Sequence, residues 1–219
     1  MGDRDQPDTR EGKVPVVVFA DFVCPWSYIV QDSIDQLARD YDVEPLLWKP
    51  HWLHPETPRE GKPIDRAAGS DRRKAVYEWL KELEPEKAER MRPPDKQQFS
   101  FLAFEGLTFA EDNGKAMPFK TAVFDALWVE GEDIGEASTL QKAADKVGLD
   151  AEELGRSLND GTLRERTMET VMTARRCGIT KTPTMILGRT MIPGYHYYEV
   201  MQTVLEKQGF LPKSGRVGE

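Results

Sequence analysis

One junction constrains the fold of this 219-residue chain more than any other part of its sequence, because it places a cysteine between two contrasting patterns. Residues 14–20 form an apolar, valine-rich run, which predicts a buried β-strand. Residues 28–41 carry Ile34 and Leu37 at helical spacing with polar residues between them, which predicts an amphipathic helix. Cys24 therefore lies where a strand ends and a helix begins, and the partial positive charge of a helix N-terminus favours a thiolate.

The pattern changes twice along the rest of the chain. Residues 43–49 predict a second strand, and Pro45 within it favours an edge position or a bulge. Helical periodicity then dominates residues 67–173, before residues 183–192 predict a β-hairpin and residues 197–208 a final helix. A β-α-β unit followed by a helical block and a β-β-α unit is the layout of an α/β protein with a thioredoxin fold.

Within the central block, the apolar spacing predicts six helices, and a proline-rich loop at residues 50–65 separates the block from the second strand. Phenylalanines of this block are expected to form the core of the helical part, at positions Phe101, Phe104, Phe109, Phe119 and Phe124. The predicted helices span residues 71–89, 97–111, 118–129, 138–147, 150–158 and 162–176.

Composition excludes several classes of function. The chain has 30 basic and 38 acidic residues, and a net charge of −8 disfavours binding to nucleic acid or to an anionic membrane. No apolar run is long enough to span a bilayer, and the polar N-terminus lacks the apolar centre of a signal peptide. We therefore expect a cytoplasmic protein with a disordered N-terminal tail at residues 1–13.

Four segments, in order along the chain, carry a resemblance to a known family. They are the turn Phe22–Ser27, the proline-rich segment Pro50–Pro55, the run Phe124–Trp128 and the loop Gly178–Thr184. Over residues 14–210 the chain resembles the DsbA family of thioredoxin-fold oxidoreductases, in its cytoplasmic FrnE-like branch. This resemblance implies a thioredoxin fold with a large inserted all-helical domain.

The resemblance also implies where the domains begin and end. A discontinuous thioredoxin-like domain would consist of residues 14–65 and 174–212. The inserted helical domain would occupy residues 66–173.

Carried over residue by residue, the family pattern makes Cys24 the catalytic nucleophile. It makes Thr182-Pro183 a cis peptide beside the sulfur, whose exposed Thr182 backbone pairs with a bound peptide as an added strand. Pro25 and Trp26 lie in the active-site turn, where the resemblance implies that they control access to the sulfur.

Ser27 departs from the family pattern, because the matching position holds a second cysteine that resolves a mixed disulfide. A natural serine would imply a monothiol mechanism, in which an external thiol such as glutathione releases the product. Alternatively, Ser27 is an engineered replacement of a cysteine, and the sequence leaves both explanations open. A hydrogen bond from Ser27 would favour the Cys24 thiolate, so we expect a depressed pKa for Cys24, roughly 3.5–7.5.

Two other functions stay open at this point. Kappa-class glutathione transferases and hydroxychromene carboxylate isomerases share this fold and use a serine at the position of Cys24 to hold the glutathione thiolate. The third hypothesis is a redox-inactive peptide-binding module. The expected partners are a disulfide-containing protein or a small-molecule thiol or disulfide, with either no cofactor or glutathione as a co-substrate, and with the protein a monomer or homodimer.

The remaining candidate ligands and nucleophiles fit structural roles better. Cys177 follows a predicted helix and is expected to be structural rather than resolving. His51 and His54 lie in a proline-rich loop without a third ligand at a standard spacing, so we expect loop packing and no metal site.

Overall fold

The computed structural model describes residues 12–64 and 70–213. The predicted disordered tail, residues 1–13, lies outside the described residues except for its last two. In chain order, the elements are β1 (Val14–Ala20), α1 (Pro25–Asp40), β2 (Val43–Pro50), β3 (Lys62–Pro63), α2 (Ser70–Leu83), α3 (Pro85–Arg90), β4 (Lys96–Gln97), α4 (Phe101–Asp112), α5 (Ala116–Asp125), a π-helical turn (Ala126–Glu130), α6 (Ala137–Lys146), α7 (Ala151–Asp160), α8 (Arg164–Arg176), β5 (Thr184–Leu187), β6 (Thr190–Pro193) and α9 (Tyr198–Glu206).

The main sheet has four strands in the order β2-β1-β5-β6. Strand β1 runs parallel to β2 and antiparallel to β5, and β5 forms an antiparallel hairpin with β6. Strand β2 lies at the edge of the sheet, and its register with β1 shifts between Val14 and Val16, close to Pro45. Because a proline has no N–H to donate to a neighbouring strand, the edge position and irregular register predicted from Pro45 are confirmed.

The helices between β2 and β5 differ from the sequence prediction at three places. The single helix predicted over residues 71–89 is two helices, because Pro85 is tolerated in the first turn of α3 but would break a helix interior. The predicted loop 50–65 contains the short strand β3, which pairs with β4, so that Gln97 is in a strand rather than at the start of α4. The helix predicted over residues 118–129 ends in the π-helical turn.

A continuous hydrophobic core joins the sheet, α1 and the central helices. The five phenylalanines predicted to be core residues are all buried, with Phe119 and Phe124 completely inaccessible to solvent. The fold is the predicted α/β thioredoxin fold with a helical insertion. Its division at residues 65/66 and 173/174 stays a prediction.

In the described ranges, none of the helices combines the length and the apolar character needed to cross a membrane.

Candidate active site

Cys24 is the residue that caps the N-terminus of α1. Its backbone is extended, with φ −89° and ψ 115°, and its carbonyl oxygen accepts the Ser27 and Tyr28 N–H groups at 3.0 and 3.2 Å. Pro25 occupies the first turn of the helix, where the missing N–H costs no helical hydrogen bond. The sequence therefore places the thiol at the helix N-terminus as predicted.

The cis-proline loop lies directly beside the sulfur. The Thr182-Pro183 peptide bond is cis, as predicted, and the Cys24 thiol donates a hydrogen bond to the Thr182 carbonyl oxygen at 3.5 Å. Strand pairing brings the two segments together, because Phe19, near the end of β1, lies opposite Thr184 at the start of β5.

Ser27 is completely buried one helical turn into α1. Its Oγ has no hydrogen-bond partner of ordinary geometry among the described residues. A buried hydroxyl group without a partner is unfavourable, so rotation of its proton toward the Cys24 sulfur is the available compensation.

The sulfur lies in a more apolar setting than the sequence predicts. Cys24 is only 5% exposed, and this burial raises the pKa of its thiol above the ordinary value. The side-chain hydroxyl groups of Thr182 and Ser27 favour the thiolate and act against this rise in pKa, while the nearby Asp21 carboxylate adds to it. The expected depressed pKa for Cys24 is therefore wrong, because desolvation outweighs the hydrogen bonds from the Thr182 and Ser27 hydroxyl groups and the Ser27 N–H.

Asp21 is a site residue that the sequence analysis missed. It is fully buried, and its carboxylate accepts the Leu53 N–H at 2.8 Å and the Val23 N–H at 3.3 Å. Burial raises the pKa of Asp21 to about 6, although these two hydrogen bonds lower it. An acidic residue three positions before the cysteine was the available signal, but its burial depends on the loop that follows β2.

Aromatic side chains form the edge of the site. Trp26 is partly buried, and its ring lies 6.0 Å from that of Tyr195, which in turn lies 5.6 Å from Tyr197. The Gly194 N–H donates to the Pro183 carbonyl oxygen at 2.7 Å, so the segment that carries Tyr195 and Tyr197 begins beside the cis-proline loop. This edge offers apolar contact area next to the sulfur.

Side chains of the central helices contact the residues on both sides of Cys24. The Trp128 indole N–H donates to the Phe22 carbonyl oxygen at 2.9 Å, and its ring stacks on Tyr28 at 6.1 Å. Phe22 itself packs against Phe124, with ring centroids 4.9 Å apart. Residues on both sides of Cys24 thus depend on side chains from the central helices.

The structure separates other residues that the sequence brought to attention. Cys177 is exposed at the C-terminal end of α8, and no disulfide joins it to Cys24. His51 is buried, which lowers its pKa, whereas the exposed His54 contacts Glu56 at 3.2 Å. Over residues 12–64 and 70–213, no group of three or more His, Cys, Asp or Glu side chains is placed to hold a metal ion.

Solved structures with similar folds come from oxidoreductases and isomerases. A probable DsbA oxidoreductase from Streptomyces coelicolor is similar over 94% of this chain and 92% of its own, with a TM-score of 0.76 and 19% identity. A 2-hydroxychromene-2-carboxylate isomerase is similar over 88% of this chain and 95% of its own, with a TM-score of 0.70 and 20% identity. At these identities the comparison establishes the shared fold.

Sequence comparison identifies the family. The YwbO protein of Bacillus subtilis is 28% identical over 202 residues, which cover 89% of this chain and 97% of that protein. The model of the DSBA-like thioredoxin domain matches residues 15–206, from β1 to the end of α9. The match includes the Cys24 turn and the cis-proline loop, and the chain belongs to the DSBA-like thioredoxin domain family.

Proposed function

We propose that this protein is a thiol–disulfide oxidoreductase that works through a single active-site sulfur, that of Cys24. The observation that carries the proposal is the 3.5 Å contact between the Cys24 Sγ and the Thr182 carbonyl oxygen, which places the thiol against the cis-proline loop. Ser27 stands where a second thiol would resolve a mixed disulfide, so the product must be released from outside the chain.

The reaction consists of two thiol–disulfide exchanges. In the first, the Cys24 thiolate attacks one sulfur of the substrate disulfide, a mixed disulfide forms, and the other substrate sulfur leaves as a thiolate that takes up a proton. In the second, an external thiolate attacks the mixed disulfide, forms a new disulfide with the bound sulfur and restores the Cys24 thiolate. The cycle converts one disulfide and one thiol into another disulfide and another thiol.

Glutathione is the external thiol that we propose for the second exchange. The sulfur of Cys24 is nearly buried, so a small thiol reaches a mixed disulfide at this position more readily than a protein thiol does. Glutathione stays largely reduced in the cytoplasm, which is also the compartment that we propose for this protein.

The Thr182 carbonyl oxygen links ionisation of the thiol to substrate binding. In the resting site it accepts the Cys24 S–H, and loss of that proton leaves the oxygen without its donor. A backbone N–H of an extended peptide can then take the place of the S–H, in the manner of an added strand. Peptide binding at Thr182 therefore favours the thiolate, which offsets part of the effect of burial on the pKa of Cys24.

The test is to trap the mixed disulfide during turnover. Reduction of a glutathionylated peptide is followed with excess glutathione, and samples quenched with N-ethylmaleimide are measured by intact mass and peptide mapping. We expect an adduct on Cys24 that disappears when substrate is exhausted. An adduct confined to Cys177, or turnover without any adduct, would contradict the proposal.

A glutathione-dependent transferase or isomerase is the second candidate, and the buried, unpartnered Ser27 hydroxyl group favours it. In this mechanism Ser27 would hold the thiolate of bound glutathione, and Cys24 would not be a nucleophile. Conjugation of glutathione to an aromatic halide would then survive the Cys24→Ala substitution and fail in Ser27→Ala. A third possibility, a redox-inactive peptide-binding module, requires peptide binding without any reactivity at Cys24.

A further inference from the structure

A cavity of about 310 Å³ lies beside the active-site turn, between α1, α3 and α5. Tyr28 lines it one helical turn after Cys24, and Glu84 lines its other side. Glu84 accepts a hydrogen bond from the Tyr195 hydroxyl group at 2.8 Å, and the Tyr195 ring lies 6.0 Å from Trp26. The hydrogen bond between Tyr195 and Glu84 thus links the wall of the cavity to the aromatic edge of the active site.

The cavity is lined mainly by hydrogen-bond acceptors. Five of its lining side chains are carboxylates and two are basic. One basic group, Lys87, is committed to Asp32 at 2.6 Å, and the other, Arg90, is exposed. Within the described part of the chain, three of the five carboxylates make no hydrogen bond or ion pair, namely Asp35, Glu86 and Asp125.

A buried amide provides an independent observation. Gln31 lines the cavity, is only 4% exposed, and donates from its Nε2 to the Tyr28 carbonyl oxygen at 2.9 Å. Because a carbonyl oxygen only accepts, this contact fixes the amide orientation, and it leaves the Gln31 Oε1 without a partner among the described residues. An orphaned buried acceptor calls for a donor from outside the chain.

We propose that this cavity binds the basic side chain, lysine or arginine, of the disulfide-bearing peptide on which Cys24 acts. The inference rests on the proposed oxidoreductase function and adds a substrate class to it. An ammonium or guanidinium group carries only donors and a positive charge, which complements Asp35, Asp125 and the Gln31 amide oxygen. Asp125 is half-buried, and burial raises the pKa of its carboxyl group although the positive charges of Arg90 and Lys87 lower it, so a cation in the cavity would act in the same direction as these two side chains.

The geometry sets where the basic residue must lie in the peptide. Along α1, Tyr28 and Asp35 lie about 6 and 16 Å beyond Cys24, at about 1.5 Å per residue. An extended peptide advances about 3.3 Å per residue, so the basic residue is about two to five positions from the reactive cysteine. A substrate of this kind would contact the sulfur, the aromatic edge and the cavity at once.

The experiment compares glutathionylated peptides that differ at one position. Lysine, arginine, norleucine or glutamate is placed in turn two to five residues on either side of the cysteine, and kcat/KM is measured. At one position, lysine and arginine are expected to exceed norleucine by roughly three- to tenfold. In the Asp35→Asn/Asp125→Asn double variant this preference disappears while the norleucine rate is unchanged, and in the exposed-site control Asp145→Asn the preference remains.

The outcomes separate this inference from the proposed function. If all peptides are reduced equally well at every position, the cavity inference fails and the oxidoreductase proposal stands. If no peptide is reduced, the oxidoreductase proposal fails, and with it the assignment of a substrate side chain to the cavity.

Cadaverine at matched ionic strength should inhibit the lysine peptide but leave the norleucine peptide unaffected, with 1,5-pentanediol as neutral control. Equal inhibition of both peptides would show that cadaverine does not compete specifically with the lysine side chain, and would overturn the inference.

Discussion

The two cysteines of this chain occupy opposite ends of two helices and differ in almost every physical respect. Cys24 caps the N-terminus of α1, is 5% exposed and donates to the Thr182 carbonyl oxygen. Cys177 ends α8 at its C-terminus, is exposed, and its backbone N–H donates to the Thr173 carbonyl oxygen. The contrast teaches that exposure alone does not identify the sulfur that we propose to be catalytic, because its chemistry depends on the groups positioned around it.

The largest difference between the two cysteines should be the effect of their substitution on kcat. Cys24→Ala removes the proposed nucleophile, and we expect kcat for a glutathionylated peptide to fall roughly 100-fold or more. Cys177→Ala should keep kcat within about twofold, since Cys177 is exposed at the C-terminal end of α8. Steady-state kinetics with glutathione in excess measures kcat for both variants. A large loss of kcat in Cys177→Ala would contradict the contrast drawn between the two cysteines.

Ser27→Cys tests whether the missing second thiol defines the mechanism. The variant should release both thiols of the substrate disulfide, about two per chain, without external thiol, because the new cysteine can resolve the mixed disulfide. The parent chain should stop at the mixed disulfide under the same conditions. Rapid-quench product analysis distinguishes the two by the release of the second thiol, and release of both thiols by both chains would show that another group resolves the intermediate.

In alkylation of the native protein, Cys177 should react faster than Cys24, the reverse of their expected importance for turnover. Iodoacetamide should modify Cys177 faster than Cys24 by about tenfold or more, because Cys24 is buried and burial raises its pKa. Peptide mapping of a time course measures both rates in one sample. In a denaturant the two rates should converge, whereas a difference that persists after unfolding would rule out burial as the cause.

Asp21→Asn should give the smallest effect, and one that depends on pH. Burial raises the pKa of Asp21 to about 6, so its carboxyl group is charged above that pH and there raises the pKa of Cys24. Removing the charge should speed Cys24 alkylation roughly two- to fivefold at pH 7 to 8. At pH 5, where Asp21 is mostly neutral, the two proteins should react equally.

The rate of Cys177 in the same samples is the internal control for Asp21→Asn. An acceleration that is equal at pH 5 and pH 8 would point to loosened packing rather than to a lost charge. A parallel acceleration of Cys177 would point to partial unfolding.

Sequence reasoning predicts those features that depend on local pattern. The strand before Cys24, the helix after it and the cis Thr182-Pro183 bond follow from periodicity and a family resemblance. The break at Pro85 was missed because the apolar spacing continues across it. The position of each helix end depends on such local backbone chemistry more than on periodicity.

The electrostatics of the site could not be predicted in this way. A helix N-terminus favours a thiolate, but the burial of Cys24 results from packing between segments about 160 residues apart, and no local pattern reports it. The same holds for Asp21, whose carboxylate is enclosed by the loop at Leu53. Lys120 is a further case, because only the fold places this buried ammonium group 4.6 Å from the Trp48 ring.

The π-helical turn has a consequence for how such proteins can be recombined. Trp128 lies in this turn, and its backbone carbonyl oxygen accepts the Arg92 N–H at 2.6 Å. The indole N–H of Trp128 donates to the Phe22 carbonyl oxygen. A chimera that receives its central helices from a relative without an equivalent tryptophan would leave the buried carbonyl group of Phe22 without a donor. The helices and the active-site turn therefore have to be inherited together, as one unit of exchange.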